Sequence, residues 1–215
     1  LLILFDYPYV NPNTKGKNMI EQEFQCMVSK LAKSGVHIAY SLNGLKAHNW
    51  HMATGIAGEC GELLEFANKL KIEGVLDKDN AIEELGDINF YLTGLVQDNP
   101  YLDMPLVENK EEHIGKTIYM LVTEITIAGI GILDAVKKVV IYEKAIESST
   151  LQHSINTMFA SMCDLYSLLG ITHKQVLEAN INKLLHAKNA RYASGIYSNE
   201  QAQDRADKGG NNERS

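Results

Sequence analysis

The chain is poor in helix breakers, poor in cysteine and short of positive charge, and each shortage closes a class of protein. Its 215 residues hold only four prolines, Pro8, Pro12, Pro100 and Pro105. Two flank the N-terminal arm and two mark one break near the middle, so everything else is free to be helical. Three cysteines, Cys26, Cys60 and Cys163, are odd in number and widely spaced. They form neither a CxxC metal pattern nor a disulfide framework, and fit a reducing cytoplasm. Twenty Lys and Arg against 27 Asp and Glu leave a formal charge of -7. That balance argues against gripping a nucleic-acid polymer through its phosphates, while leaving room for a basic pocket that takes one nucleotide. The longest apolar stretch, 118–141, is interrupted by Glu124, Asp134, Lys137 and Lys138. A span of about 20 apolar residues is therefore missing, and no membrane segment is expected. The opening LLILF lacks the length and basic start of a signal peptide.

What is present is amphipathic. A hydrophobic content of 45% suffices for one well-filled core or two small coupled ones. Phe24, Met27, Val28 and Leu31 recur at three- and four-residue spacing and predict a helix over 20–33 with one buried face. A short turn is expected around Ser41 to Gly44, then a helix over 46–71. Asp79 is a candidate N-cap for a helix over 80–97. After a loop at 100–105, a long helix is expected over 111–147, with Gly129 and Gly131 as points of interruption. Helices over 151–169 and 172–191 follow, separated by Gly170 and with Thr172 capping the second. The GGNNERS end reads as disordered. The expected fold class is all-α.

Two acidic pairs stand out, Glu59-Cys-Gly-Glu62 and Glu84-Leu-Gly-Asp87. A spacing of three puts both carboxylates of a pair on one helix face. A lone pair of this kind ordinarily marks a solvated face. These two lie among apolar neighbours, Ile56, Leu63 and Leu64 in one helix, Ile82, Leu85 and Ile88 in the other. Packed antiparallel, the two helices would aim four carboxylates at one point, where mutual repulsion calls for a cation. Hard oxygen donors favour Mg2+, with Mn2+ as a substitute. Gly61 and Gly86, inside the pairs, leave room for metal, water and phosphate. A carboxylate-bridged di-iron centre would need Glu-x-x-His pairs, and the chain has none.

With these residues in place, the sequence resembles the MazG-like all-α nucleoside triphosphate pyrophosphohydrolases, its small phage-type members most of all. The resemblance runs through HMATGIAGECGELLE (51–65), DKDNAIEELGDINFYL (77–92), LEANINKL (177–184) and RYASGIYSNEQAQDRADK (191–208). It implies hydrolysis between the α and β phosphates, giving a nucleoside monophosphate and pyrophosphate. Glu59, Glu62, Glu84 and Asp87 would hold Mg2+, and Glu59 or Glu62 would orient or deprotonate the attacking water. It also implies substrate contacts from His51, Lys69, Asn80, Lys183, Arg191 and Tyr192, of which Lys183 and Arg191 suit a triphosphate. The partner would be a nucleoside triphosphate in the cytoplasm, with a homo-oligomer compatible. A dUTP or dCTP pyrophosphatase of the related all-α type and a non-catalytic nucleotide-binding module are the alternative readings.

One departure from the family pattern is an insert of about 60 residues before GITHKQVLEANINKL. Residues 129–144, GIGILDAVKKVVIYEK, resemble the first acidic helix. Matching Gly61 with Gly131, and Tyr91 with Tyr166, sets Gly129, Ile132, Phe159 and Met162 against the four acids. The expected organisation is thus an internally duplicated, pseudo-dimeric bundle. Residues 1–18 form an N-terminal arm or a remnant and 19–98 the catalytic half. Residues 99–115 link it to a degenerate second half, 116–170. A C-terminal helix with a substrate-contacting tail spans 171–208, and 209–215 is a disordered end.

Overall fold

The structure, a computed structural model, describes residues 19–106, 115–145 and 147–204. The N-terminal arm, the start of the long helix expected from 111, and the polar end therefore lie outside the described residues. Every regular element among those described is helical, so the all-α expectation holds. In chain order these are α1 (Met19–Leu31), α2 (Gly35–Ser41), α3 (Gly44–Glu73), α4 (Lys78–Gln97), α5 (Ile118–Tyr142), α6 (Ser148–Leu169) and α7 (His173–Ile181). A π-helical turn (Asn182–His186) and a short α8 (Asn199–Asp204) complete them.

Local chemistry sets most of these boundaries. The Asn43 side chain accepts from the Lys46 N–H to start α3, and Gly74, at φ 72, ends it in the left-handed region. Asp77, not Asp79, caps α4 by accepting from the Asn80 N–H. Both aspartates have the right chemistry, but Asp79 already lies within the first turn. Thr172 and Gln175 form a reciprocal capping box that starts α7.

Helix α5 runs unbroken through Gly129 and Gly131 and stops at Tyr142. The tail is not one helix to Arg191 either. Helix α7 ends at Ile181, and its ladder widens so that the Ala187 N–H reaches the Asn182 carbonyl (2.8 Å). A further helix, α2, occupies a stretch that reads as connection from sequence, started by the Ser34 hydroxyl accepting from the His37 N–H.

The core is a bundle of antiparallel helices in which α3 packs on α4 and α5, α6 packs on α5, and α4 and α6 also touch. Helix α7 packs back onto α4. Helix α5 alone among the described helices is long and apolar enough to cross a membrane. Here its Leu121, Val122, Ile125, Ile132 and Val136 are instead buried in the common core with Ile56, Leu63 and Leu85. The burial expected for α1 does not occur. It buries no residue, and Phe24 and Leu31 are 61% and 75% exposed. A helical period shows that a face is apolar, not that a partner exists for it.

The sequence matches used for a second copy also need correcting. Gly55 lies under the Tyr91 ring, 2.4 Å from it at the position of a Cβ. Matching Gly61 with Gly131 carries Gly55 onto Ile125, which should then face Tyr166. Its neighbour Glu124 instead accepts a hydrogen bond from Ser161 (2.9 Å), more than a turn away from Tyr166. The two matches cannot both hold, so Gly129, Ile132, Phe159 and Met162 do not together mirror the four acids.

Candidate metal centre

The tight crossing of α3 and α4 fixes the site. Besides Gly55 under Tyr91, Gly94 faces the Met52 sulfur, 2.5 Å from a built Cβ. With the backbones this close, Glu59 on α3 meets Glu84 and Asp87 on α4. Ligand oxygens of all three lie within 4.8 Å of one another, close enough for one cation to bridge them. Glu84 is buried, while Glu59 and Asp87 are partly exposed. Glu62 stands outside this group of three. Its carboxylate is exposed and lines the same cleft.

Glu84 accepts a hydrogen bond from the Asn80 amide (2.9 Å). Asp87 accepts from the Asn180 amide and from the Lys183 ammonium, each at 2.7 Å. Lys183 also reaches Glu83 at 3.4 Å. Asn180 arrives on α7 and Lys183 on the π-turn that follows it, and a buried network seats α7 on α4. The Asn89 amide donates to the Leu85 carbonyl (2.7 Å) and the Tyr166 hydroxyl (2.9 Å), and its oxygen pairs with His173 Nε2 at 3.1 Å. Gly86 allows the close approach, since a Cβ there would sit 3.0 Å from the Asn180 Cβ. The space expected at Gly86 for metal and phosphate is therefore taken by α7. Gly61, by contrast, has nothing within 4 Å.

Beyond the π-turn the chain doubles back. The Arg191 N–H donates to the Lys183 carbonyl (3.2 Å) and the Tyr192 N–H to the Leu184 carbonyl (2.8 Å). This return places Arg191 and Tyr192 on the rim of a cleft of about 600 Å3 whose walls include His51, Glu59, Glu62 and Asp87. One end of the cleft is acidic. The rest is aromatic and aliphatic, with Phe90, Tyr91, Leu184, Tyr192 and Tyr197.

Of the residues singled out in the sequence, the structure thus brings His51, Glu59, Glu62, Asp87, Arg191 and Tyr192 to one cleft. It sets Asn80, Glu84 and Lys183 directly behind or beside it. Lys69 is not brought there: it is exposed on α3, roughly 15 Å along the helix from Glu59. Asn180, Phe90, Tyr91 and Tyr197 were missed. Asn180 was within reach, because it precedes Lys183 by three residues and shares its helix face. Cys60 is a buried core residue, as expected, and Cys26, Cys60 and Cys163 are not joined by disulfides.

No family model, curated protein or solved structure matches the chain.

The electrostatics of the site follow from its crowding. Burial, then the charges of Asp87, Glu62 and Glu84, push the Glu59 carboxyl up to about 8. The donors are hard oxygens, and a carboxylate under this pressure gains from any nearby cation, so the residues present fit a metal ion. The pH consequence has a definite sign. Between the ordinary carboxylate range and about 8, the folded chain holds a proton on Glu59 that the unfolded chain has released. This contribution therefore makes the metal-free fold less stable as pH rises through that window. A divalent cation displaces the proton, so its apparent affinity rises over the same window and levels off above about 8. Thermal melts of the wild-type chain from pH 5 to 8, with EDTA or with Mn2+, measure both effects. A Glu59→Gln comparison assigns them, since in that variant the Mn2+-free slope becomes shallower.

Proposed function

We propose that the chain hydrolyses a nucleoside triphosphate to the monophosphate and pyrophosphate with the help of Mg2+, as its MazG-like motifs suggest. The observation that carries this reading is the meeting of Glu59, Glu84 and Asp87 from two helices at the acidic end of a cleft. The same cleft is lined by Arg191 and a set of aromatic rings, with Lys183 directly beside it on Asp87. A triphosphate needs cations at one end and a flat apolar surface at the other, and the cleft offers both.

The reaction adds water to the α-phosphorus, breaks the bond from that phosphorus to the oxygen bridging the β-phosphorus, and releases pyrophosphate. Mg2+, when bound, neutralises phosphate charge and acidifies water. The chain's own residues supply the rest. Glu59, Glu84 and Asp87 would hold the cation, with Asn80 fixing the Glu84 carboxylate. Glu62 lines the cleft outside the group of three, which suits it to take the proton from the attacking water. Lys183 and Arg191 donate charge-assisted hydrogen bonds to phosphate oxygens. The base lies against Tyr91, Tyr192 and Tyr197. A net charge of -7 fits a free nucleotide of the cytoplasmic pool better than a polymer.

A panel of the eight common ribo- and deoxyribonucleoside triphosphates, incubated with Mg2+, tests this directly. The expected products are monophosphate and pyrophosphate in equal amounts, removed by EDTA and restored by Mg2+. Turnover of none of the eight removes the enzymatic reading, and release of orthophosphate in place of pyrophosphate moves the cleaved bond.

A further inference from the structure

The α3–α4 and α5–α6 pairs carry one burial pattern twice. At a constant interval along the chain, the buried residues Met52, Ala53, Ile56, Leu63 and Ala67 of α3 recur as buried Leu121, Val122, Ile125, Ile132 and Val136 of α5. One residue is then added between the helices. At the resulting interval Ala81, Leu85, Ile88, Leu92 and Leu95 of α4 recur as buried Leu151, Ile155, Met158, Met162 and Leu165 of α6. The helix ends agree. The C-caps Gly74 and Glu143 stand at the first interval and both are left-handed, with φ 72 and 56. Glu143 is the one non-glycine residue with positive φ among those described. The N-caps Asp77 and Glu147 stand at the second interval.

Contacts repeat at the same register. Gly55 under the Tyr91 ring corresponds to Glu124 bonded to Ser161. Cys60 corresponds to Gly129, and the two touch: a Cβ on Gly129 would lie 2.7 Å from the Cys60 sulfur. A residue that meets its own counterpart lies on a two-fold axis. The connections also cross alike. After α6 the chain passes over to α4 as α7. After α4 it passes over to α6, where the Asp103 N–H donates to the Gln152 side chain (2.9 Å) and Gln152 donates back to the Asp103 carbonyl (2.8 Å).

We propose that the chain is a fused pseudo-dimer with one metal centre kept and one vacated. The kept centre is assembled across the axis. Its carboxylates come from the first half, while Asn180 and Lys183 come from the segment that follows the second. At the corrected register, the counterparts of Glu59, Glu62, Glu84 and Asp87 are Ala128, Gly131, Ser154 and Thr157. All are small, none is charged, and Gly131 and Ser154 are already in contact, with a built Cβ 3.3 Å from the hydroxyl. The second half thus serves as the in-chain partner that delivers α7, and its own cation site has been closed by truncation. The vacated site rests on the metal reading above, whereas the register does not.

Two full-length variants test the two parts separately. The register is tested by Ala128→His with Thr157→His, counterparts of Glu59 and Asp87. Ni2+ should raise the melting temperature of this double variant well beyond its effect on either single variant or the wild type. An equal response in all of them overturns the register. So does failure of the double variant to fold, because Glu59 and Asp87 already carry extended side chains at those places. The vacated site is tested by Ala128→Glu, Gly131→Glu, Ser154→Glu and Thr157→Asp together, with Mn2+ bound per chain counted by electron paramagnetic resonance. The count should double relative to wild type. A folded variant that binds no more Mn2+ than a wild type that does bind it overturns the vacated site, as does a variant that cannot fold while the double-histidine variant can. A wild type that binds no Mn2+ sinks the metal reading and the vacated site with it, while the Ni2+ result still decides the register.

Discussion

On the hydrolysis proposed above, Glu59→Gln is expected to cut pyrophosphate release sharply and, in the absence of metal, to make the fold more stable. The two effects have one cause. Glu59 is partly buried and lies beside Asp87, Glu62 and Glu84, and without a cation burial and then these charges push its carboxyl up to about 8. At pH 7 the folded chain keeps a proton on a group that the unfolded chain ionises freely, which costs stability. Glutamine has nearly the same shape and carries no such charge. Discounted for partial exposure, the expected gain in metal-free stability is about 1–3 kcal/mol. Turnover should fall by about 10²–10⁴-fold, because the variant loses a charged ligand and repulsion no longer favours the cation. Urea unfolding in EDTA reads the first effect and coupled pyrophosphate detection the second. Turnover within threefold of wild type would take Glu59 out of the site. A loss of turnover with lower metal-free stability would mean that Glu59 carries no costly proton in the metal-free fold.

Gly55→Ala is expected to damage the cleft from below. Its new methyl would sit 2.4–2.6 Å from three carbons of the Tyr91 ring, a rigid group that cannot yield by bending. The ring must swing towards the cleft it lines, disturbing its edge contacts with His51 and Phe90, whose ring centroids lie 5.9 and 5.3 Å away. Overpacking costs about 1–3 kcal/mol, against roughly 1 kcal/mol returned by alanine's better helix propensity. The net result is a loss of about 1–2 kcal/mol. A several-fold rise in KM with a smaller change in kcat should accompany it. Two glycines of the same core pair serve as controls. Gly94→Ala meets the Met52 sulfur, the flexible part of a side chain, and should cost less. Gly58→Ala meets nothing within 4 Å and should stabilise by about 0.5–1 kcal/mol. Equal effects at the three positions would show that backbone entropy, not the approach of α3 to α4, governs them.

How far the site could be read from sequence follows from how local each feature is. The meeting of Glu59 with Glu84 and Asp87, the Thr172 cap and the break at Gly170 depend on spacings of three or four residues and stand in the structure as expected, whereas Glu62, the fourth carboxylate, stands outside the group. The gathering of His51, Arg191 and Tyr192 at one cleft was legible only through family-like motifs, because no local rule brings α3 to the tail. What failed was non-local. The apolar stripe of α1 gave no sign that it would remain bare. Leu184 and Leu185 continue a helical pattern through the π-turn, which hides the end of α7. Lys69 has a useful charge at a useless height along α3. Matching glycines and tyrosines by identity gave two registers for α5 and α6 that cannot both hold, whereas the register proposed above rests on burial, caps and contacts. Asp77 and Asp79 differ only in which one meets the N–H two or three residues ahead, a choice made by the path of the incoming chain.

The return of the chain beyond the π-turn sets how the cleft can move. Arg191 and Tyr192 are tied there by two backbone hydrogen bonds, and Ala190 is the sole buried residue between the π-turn and α8. The wall bearing these two side chains is therefore the cheapest part of the cleft to open, while α3 to α6 keep their packing. On the hydrolysis proposed above, product would leave by peeling that wall back. The acidic wall, set on the buried helices α3 and α4, would keep its shape meanwhile, and the next substrate would meet a site already formed.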